Sequence, residues 1–505
     1  MKKAEEKSQK NILRSSLVVS LFMLVGKVAG AFFKVPLTAI IGAEGMGIYQ
    51  MVFPVFVLLF SVSSTGFSTA ITVSFGDKSS QHKNGSYLRY AQLGALGIAL
   101  FVSAIVIVMS PVFAKIQKNE QVQVVYKIMP IAIVTVSLLS VKKGQIRAMG
   151  EFCKYSLAES AEQVLKVIIA LVLAGMLSAY SGGIGVAGVF VGIAFSTLPA
   201  FIILNFKNSK KLNFAPLTKP EKKGFLKISF YSTLLAILVP FVQFLDSVVT
   251  TNCLVSAGLG SGLATSLYGL SRGSVSVLIN LPMVAIGALE LVLLPDLIKS
   301  DGDKQSKVKL SILIALFVCL PFGFLYTLFP EVIIKTLYGA SLPEWQLAQT
   351  VRLLRVGGFT SVLAGLTSVT TVALQGLKKF YLPVVSLGLA GVSKLGLELL
   401  IVSKVGIIGA ELGTLIFYLV ACLINCIMLN ACKLRVGSAG NLVPIATAGV
   451  AFSAALILFN LLKGAIGELV ALLSLGLIFG AGYLVVMIAI LKKQTCVNKS
   501  RRAGS

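Results

Sequence analysis

The residues of this chain that could do chemistry are charged side chains set inside long apolar stretches. Lys27 lies deep in the first stretch, and Lys34 follows one to two turns on. Glu159, Glu162 and Lys166 recur at spacings of three and four, which puts them on one face of a helix. Asp246 closes one later stretch, and Arg272 and Glu290 share the next. Arg352 and Arg355 share a face, Lys394 and Glu398 are spaced i,i+4, and Glu411 opens a further stretch. An ionisable group at the centre of a membrane helix costs about 2.5–3.5 kcal/mol on insertion scales, so it faces a partner or a cavity. Basic groups converging on a cavity suit a diphosphate, because a guanidinium binds phosphate in bidentate fashion and an ammonium acts as a point charge. Lys27, Lys34, Arg272, Arg352 and Arg355 are therefore the candidate anion ligands. Asp246 and Glu290 are candidates for their counter-charges, or for a cation or proton site. A plainer reading stands beside each. Lys394 with Glu398 reads as an internal ion pair, Arg352 and Arg355 as interfacial snorkelling residues, and Glu159, Glu162 and Lys166 as a pair near one end of their helix. Lys27 and Arg272 have no acidic neighbour within a turn and are the hardest to explain this way.

The elements that must carry these groups are membrane helices. The 505 residues are 56% hydrophobic and 13% charged, with a mean hydropathy of +0.92. A soluble domain of this size needs far more charge on its surface. Fourteen apolar blocks run over residues 12–33, 47–75, 88–113, 124–141, 156–180, 184–204, 225–250, 263–296, 309–329, 351–374, 381–402, 408–430, 442–462 and 468–491. Each block is long enough for a helix across roughly 30 Å of hydrocarbon, where unpaired backbone groups find no water. The alternating ten-residue segments of an outer-membrane barrel are absent. The block over 263–296 reads as one unusually long helix, kinked at Pro282.

The net charge of +26 does not point to nucleic acid, because the lysines and arginines sit between the apolar blocks. With the amino terminus on the cytoplasmic side, thirty-two of the 45 lysines and arginines fall in cytoplasmic segments and seven on the opposite side. That asymmetry predicts a multi-pass protein of the cytoplasmic membrane with both termini inside. It requires that the first block be kept, although the basic start and Ala29-Gly30-Ala31 resemble a cleaved signal. One histidine, His82, and seven cysteines without a C-x-x-C pair give no metal site and no histidine-based triad. No catalytic residue or cofactor motif stands out, and an enzyme is not expected.

A weak internal repeat orders the blocks. Ile48-Tyr49-Gln50 opens the second block, and Leu267-Tyr268-Gly269 opens the eighth. The basic linker 205–224, NFKNSKKLNFAPLTKPEKKG, divides the repeats. The predicted domains are a six-helix lobe over 1–204, this linker, a second six-helix lobe over 225–432, two additional helices over 433–491 and a basic tail over 492–505. Tandem repeats are common in secondary transporters, with the substrate site between them.

The stretch KVPLTAIIGAEGMGIYQMVFPVFVLLFSVSSTGFSTAITVSFGDK over 34–78, FLDSVV over 244–249, LYGLSRGSVSVLINLPMVAIGAL over 267–289 followed by LLPDL, and ALQGLKKFYLPV over 373–384 carry a resemblance. They resemble the multidrug/oligosaccharidyl-lipid/polysaccharide (MOP) exporter superfamily, in its polysaccharide-biosynthesis branch of stage V sporulation protein B-like and lipid II flippase MurJ-like members. The resemblance implies two six-helix lobes around a central cavity, with two extra carboxy-terminal helices. The helix 1 arginines and aspartate of MurJ-type flippases are matched only by Lys27, since the later positions read Phe32-Phe33-Lys34. The branch's helix 8 arginine falls near Arg272. The implied function is export of an undecaprenyl-diphosphate-linked saccharide by alternating access, with lipid II or a related cell-wall precursor as cargo. The expected partners are that lipid-linked oligosaccharide, membrane lipids and, as an open choice, a coupling proton or sodium ion. The alternative is a cation-coupled multidrug antiporter of the same superfamily, which Asp246 and Glu290 keep open.

Overall fold

The computed structural model describes residues 30, 33–76, 83–206, 213–299, 304–377, 379, 381–434 and, apart from 477, 479, 484 and 486, 442–487. Among these residues every regular element is a helix. Nine helices are long and apolar enough to cross a membrane, or eleven when each of two bent pairs counts as one span. Of the fourteen apolar blocks, the three not among the eleven are the first, which lies almost wholly outside the described residues, the eighth, which is broken, and the last, which forms the shorter helix Glu468–Tyr483.

The chain divides into two compact units, 1–273 and 274–505. The first holds α1 (Lys34–Phe60), α2 (Gly66–Gly76), α3 (Asn84–Ile116), α4 (Val122–Ile128), α5 (Pro130–Ala148), α6 (Phe152–Ser178), α7 (Gly182–Asn205), α8 (Lys219–Ser256) and α9 (Ser261–Gly269). Proline starts α5, where the missing N–H costs nothing. The Ser181 hydroxyl accepts from the Ile184 amide and caps α7. Thr218 and Glu221 form a capping box at the start of α8. Gly42 has φ +70° and divides α1, so the second apolar block starts at its Ala43 side rather than at residue 47. A π-helical turn, Ser61–Thr65, joins α1 to α2. The core is mostly aliphatic, with a cluster of aromatic rings inside it. Tyr49 stacks on Phe53 at 5.2 Å, and Phe190 of α7 meets Phe56 edge-on at 5.4 Å. The α6–α7 hairpin closes where Gly188 and Gly192 let α7 approach the α6 backbone, a Cβ on Gly192 falling 2.6 Å from the Ala170 Cα.

A second π-helical turn, Leu270–Val275, runs on from α9. The second unit then holds α10 (Ser276–Ile279), α11 (Met283–Lys299), α12 (Lys304–Leu328), α13 (Pro330–Tyr338), α14 (Glu344–Gly357), α15 (Thr360–Gly376), α16 (Tyr381–Val405), α17 (Ile408–Ala431) and α18 (Leu442–Ile466). The long helix expected over 263–296 is thus in pieces. The π turn interrupts it once, and a turn at 280–282 interrupts it again at Pro282, where the Met283 and Ala285 amides reach back three residues to Asn280 and Pro282. Pro54 and Pro240, by contrast, sit inside continuous helix. The core of this unit centres on α12 and α15, with Phe317, Leu313 and Leu374 buried.

Candidate functional site

Two of the charged positions singled out above come together in the first unit. Asp246 lies on α8, and Arg272 lies in the π turn after α9. The Arg272 guanidinium donates Nε to Asp246 Oδ2 at 2.9 Å and Nη2 to Oδ1 at 2.8 Å. The Tyr268 hydroxyl donates to the same Oδ2 at 3.2 Å. Asp246 is 2% exposed. A fork-to-fork pair of this kind is among the stronger hydrogen-bonded contacts, and it neutralises both charges where water is scarce. The position of Arg272 depends on a backbone contact. Gly47 of α1 meets α9 so closely that a Cβ would lie 2.0 Å from the Thr265 carbonyl oxygen, and one on Gly269 would lie 2.1 Å from the Ala43 carbonyl oxygen. The motifs GMGIYQ and LYGLSRG therefore cross at their glycines. Asn119 ties the crossing down by donating to Thr265 Oγ1 at 2.9 Å, and Gln117 donates to the Met51 carbonyl at 3.1 Å and to Ser247 Oγ at 3.3 Å.

A second group lines a cavity of about 260 Å³ between α2, α5 and α6. Lys143 of α5 donates to Glu159 Oε2 at 2.6 Å and also to Glu162 Oε2. Gln163 donates to Glu159 Oε1 at 3.4 Å, and Lys166 donates to Gln163. Arg147, one turn after Lys143, donates to Ser68 Oγ at 3.2 Å and stands over the Tyr155 ring at 5.4 Å. The spacing on α6 was legible in the sequence. Its cationic partner was not, because Lys143 and Arg147 flank Gly144 in a stretch that reads as a loop. The structure extends α5 through both residues, since Gly144 fits against the Ser68 carbonyl. Their i,i+4 spacing, matched to acids on the next helix, was the available signal.

Lys27 lies outside the described residues. Lys34 is half-buried at the first turn of α1. In the second unit Glu290 of α11 accepts from the Ser368 hydroxyl. Arg352 and Arg355 are exposed on α14, which is bent by 44° from α15. Lys394 and Glu398 form the buried i,i+4 pair read from the sequence, at 3.8 Å. Glu411 is fully buried and packs near Gly357. A further polar node joins three helices of this unit: Asn425 donates to Thr370 and Thr371 at 3.2 and 3.0 Å and accepts from Ser386 at 2.6 Å.

Long apolar helices with charged groups paired among them make this a multi-pass membrane protein with the fold of the MOP-superfamily transporters. The chain belongs to the polysaccharide biosynthesis protein family, which it matches over residues 12–301. Lipid II flippase MurJ of Bacillus subtilis (strain 168) is 20% identical over 451 residues, covering 83% of this chain and 82% of that protein. Stage V sporulation protein B of the same organism is 22% identical over 355 residues, covering 66% and 68%. A solved structure of lipid II flippase MurJ in an inward closed conformation matches with a TM-score of 0.71 at 16% identity, over 96% of this chain and all of that one.

Proposed function

We propose that this chain is a flippase that carries an undecaprenyl-diphosphate-linked saccharide, lipid II or a related cell-wall precursor, across the cytoplasmic membrane by alternating access. The observation that supports it most is the similarity to a lipid II flippase along most of the chain. Arg272 is given the central role. At rest its fork is held by Asp246, and a diphosphate would take the guanidinium from that carboxylate, exchanging one bidentate acceptor for another. Asp246 then serves as the counter-charge that keeps Arg272 neutralised when no cargo is bound. Lys27 and Lys34 are assigned to the same diphosphate, Arg352 and Arg355 are kept as candidate anion ligands of the second unit, and Glu290 is assigned to ion coupling. Both termini are placed in the cytoplasm, from the distribution of lysine and arginine.

The test is lipid II accessibility at the outer face of cells depleted of their own flippase, with and without this protein. Restored accessibility that falls at least tenfold in Arg272→Ala and in the charge-balanced Asp246→Ala/Arg272→Ala pair, at equal membrane abundance, is the expected result. No restoration despite good expression would reject lipid II as cargo. Drug efflux in place of restoration would favour the cation-coupled antiporter.

A further inference from the structure

We propose that the outer face of the first turns of α8 is a binding site for the headgroup of an anionic glycerophospholipid. The helix has 38 residues, about 57 Å at 1.5 Å per residue against roughly 30 Å of hydrocarbon. Its lysine-rich start therefore extends beyond the hydrocarbon layer. The inner side of this start is fixed to α2 and to the first turns of α3. Phe225 is 2% exposed and is held among the rings of Phe67, Tyr87 and Tyr90 at 6.2, 5.7 and 5.8 Å. Lys83 pairs with Glu221 at 2.8 Å. The Gly85 amide donates to the Asn213 carbonyl at 2.8 Å, and the Ser86 hydroxyl donates to the Ala215 carbonyl at 2.6 Å.

The outer side is open and ordered by chemistry. Lys219, Lys223, Leu226, Lys227 and Phe230 fall within one arc of the helix at about 100° per residue, and all five are exposed. Among the described residues no carboxylate lies within ion-pair distance of Lys219, Lys223 or Lys227. Tyr231 and Leu234 continue the surface into the apolar part of the helix, both exposed. Lys219 and Lys223 come first along the axis, Leu226 and Lys227 share the next turn, and Phe230, Tyr231 and Leu234 follow. That order matches a phosphate headgroup above its acyl chains, at the depth where lysine clusters attract anionic lipid and aromatic residues anchor. The positive end of the helix dipole adds to the attraction. A soluble anion would satisfy the lysines and leave Leu226 and Phe230 in water, so a lipid is the occupant that fits both halves. The aromatic anchor at Phe225 makes the site a fixed one, not a diffuse cloud of charge.

The full-length protein, purified in a neutral detergent, is titrated with phosphatidylglycerol or with phosphatidylcholine. Bound lipid is counted by native mass spectrometry and Tm is followed alongside. Phosphatidylglycerol is expected to bind and raise Tm, and phosphatidylcholine is not. Lys219→Gln/Lys223→Gln/Lys227→Gln is expected to weaken phosphatidylglycerol binding about tenfold. The control Lys115→Gln/Lys118→Gln/Lys127→Gln removes the same charge from other exposed positions of this unit and is expected to leave binding intact. Phe230→Gln keeps every lysine and is expected to weaken binding as well, which separates a lipid from a soluble anion. The proposal is overturned if the first triple variant binds as the parent does, if both triple variants lose binding equally, or if inorganic phosphate displaces the lipid at equal concentration.

Discussion

Asp246 and Arg272 meet fork to fork, with the Tyr268 hydroxyl on the same carboxylate, whereas Lys143 is shared between Glu159 and Glu162 on the wall of a cavity. Both groups sit within apolar helices of the same unit. In the bidentate pair two guanidinium nitrogens meet both oxygens of an acid that is almost fully buried. The open group has a spare acid, an amide and free volume beside it. The difference teaches how each answers the loss of a partner. In the bidentate pair the survivor loses a two-bond partner at a buried position, while in the cavity the surviving contacts can redistribute and water can enter.

The comparison is broken most directly at Asp246. Asp246→Ala removes the bidentate acceptor of Arg272 and should cost about 3–5 kcal/mol, read as a loss of thermal stability in detergent. Asp246→Ala/Arg272→Ala should recover part of that loss, and a double variant no better than the single would show that the pair is not the unit of stability. Gly47→Ala comes next. It attacks the backbone crossing that carries Arg272 and should cost about 1–3 kcal/mol through overpacking against Thr265; unchanged melting would mean the helices separate freely. Glu162→Gln should cost less than about 1.5 kcal/mol, since Glu159 retains Lys143, and a loss equal to that of Asp246→Ala would erase the distinction drawn above. The smallest effect is expected at the exposed pair Glu331–Lys335. Its hydrogen bond to Lys335 holds the Glu331 carboxyl below the usual carboxylate range, so any stability it adds is present above the ordinary carboxylate pKa and fades as pH falls through the lowered one. Glu331→Gln should leave the melting temperature almost unchanged, measured at neutral pH and again in acid, where even a small difference should vanish.

Much of the helical layout was legible because apolar runs of membrane length have one solution. The blocks 88–113 and 225–250 reappear as α3 and α8, each extended at both ends by polar turns that hydropathy leaves out. The block over 263–296 was read as one helix because periodicity does not register a π turn, and only Pro282 signalled a break. The bends between α4 and α5 and between α14 and α15, of 43° and 44°, fall at Pro130 and at Gly357-Gly358, breakers that the apolar blocks ran across. At the site, Asp246 and Arg272 each stood out as ions in apolar surroundings, and Asp246 was one of two candidate counter-charges. Which acid Arg272 would meet depended on the close approach of Gly47 to α9, a tertiary fact. Lys143 and Arg147 were lost to a loop because their positive charge was weighed before their helical spacing. Arg352 and Arg355 do share a face, and that face is exposed.

The two π turns, Ser61–Thr65 and Leu270–Val275, act as phase shifts. Each accommodates roughly one residue beyond what an α turn would use, so the helix that follows is rotated by about 100° and advanced by about 1.5 Å relative to an unbroken rod. Ser68, which meets Arg147, lies just past the first shift, and Arg272 lies within the second. Both charged groups are thus aimed by a single surplus residue. Their bearing is written in a local count of amino acids, which a deletion of one position could turn away without removing any charged side chain.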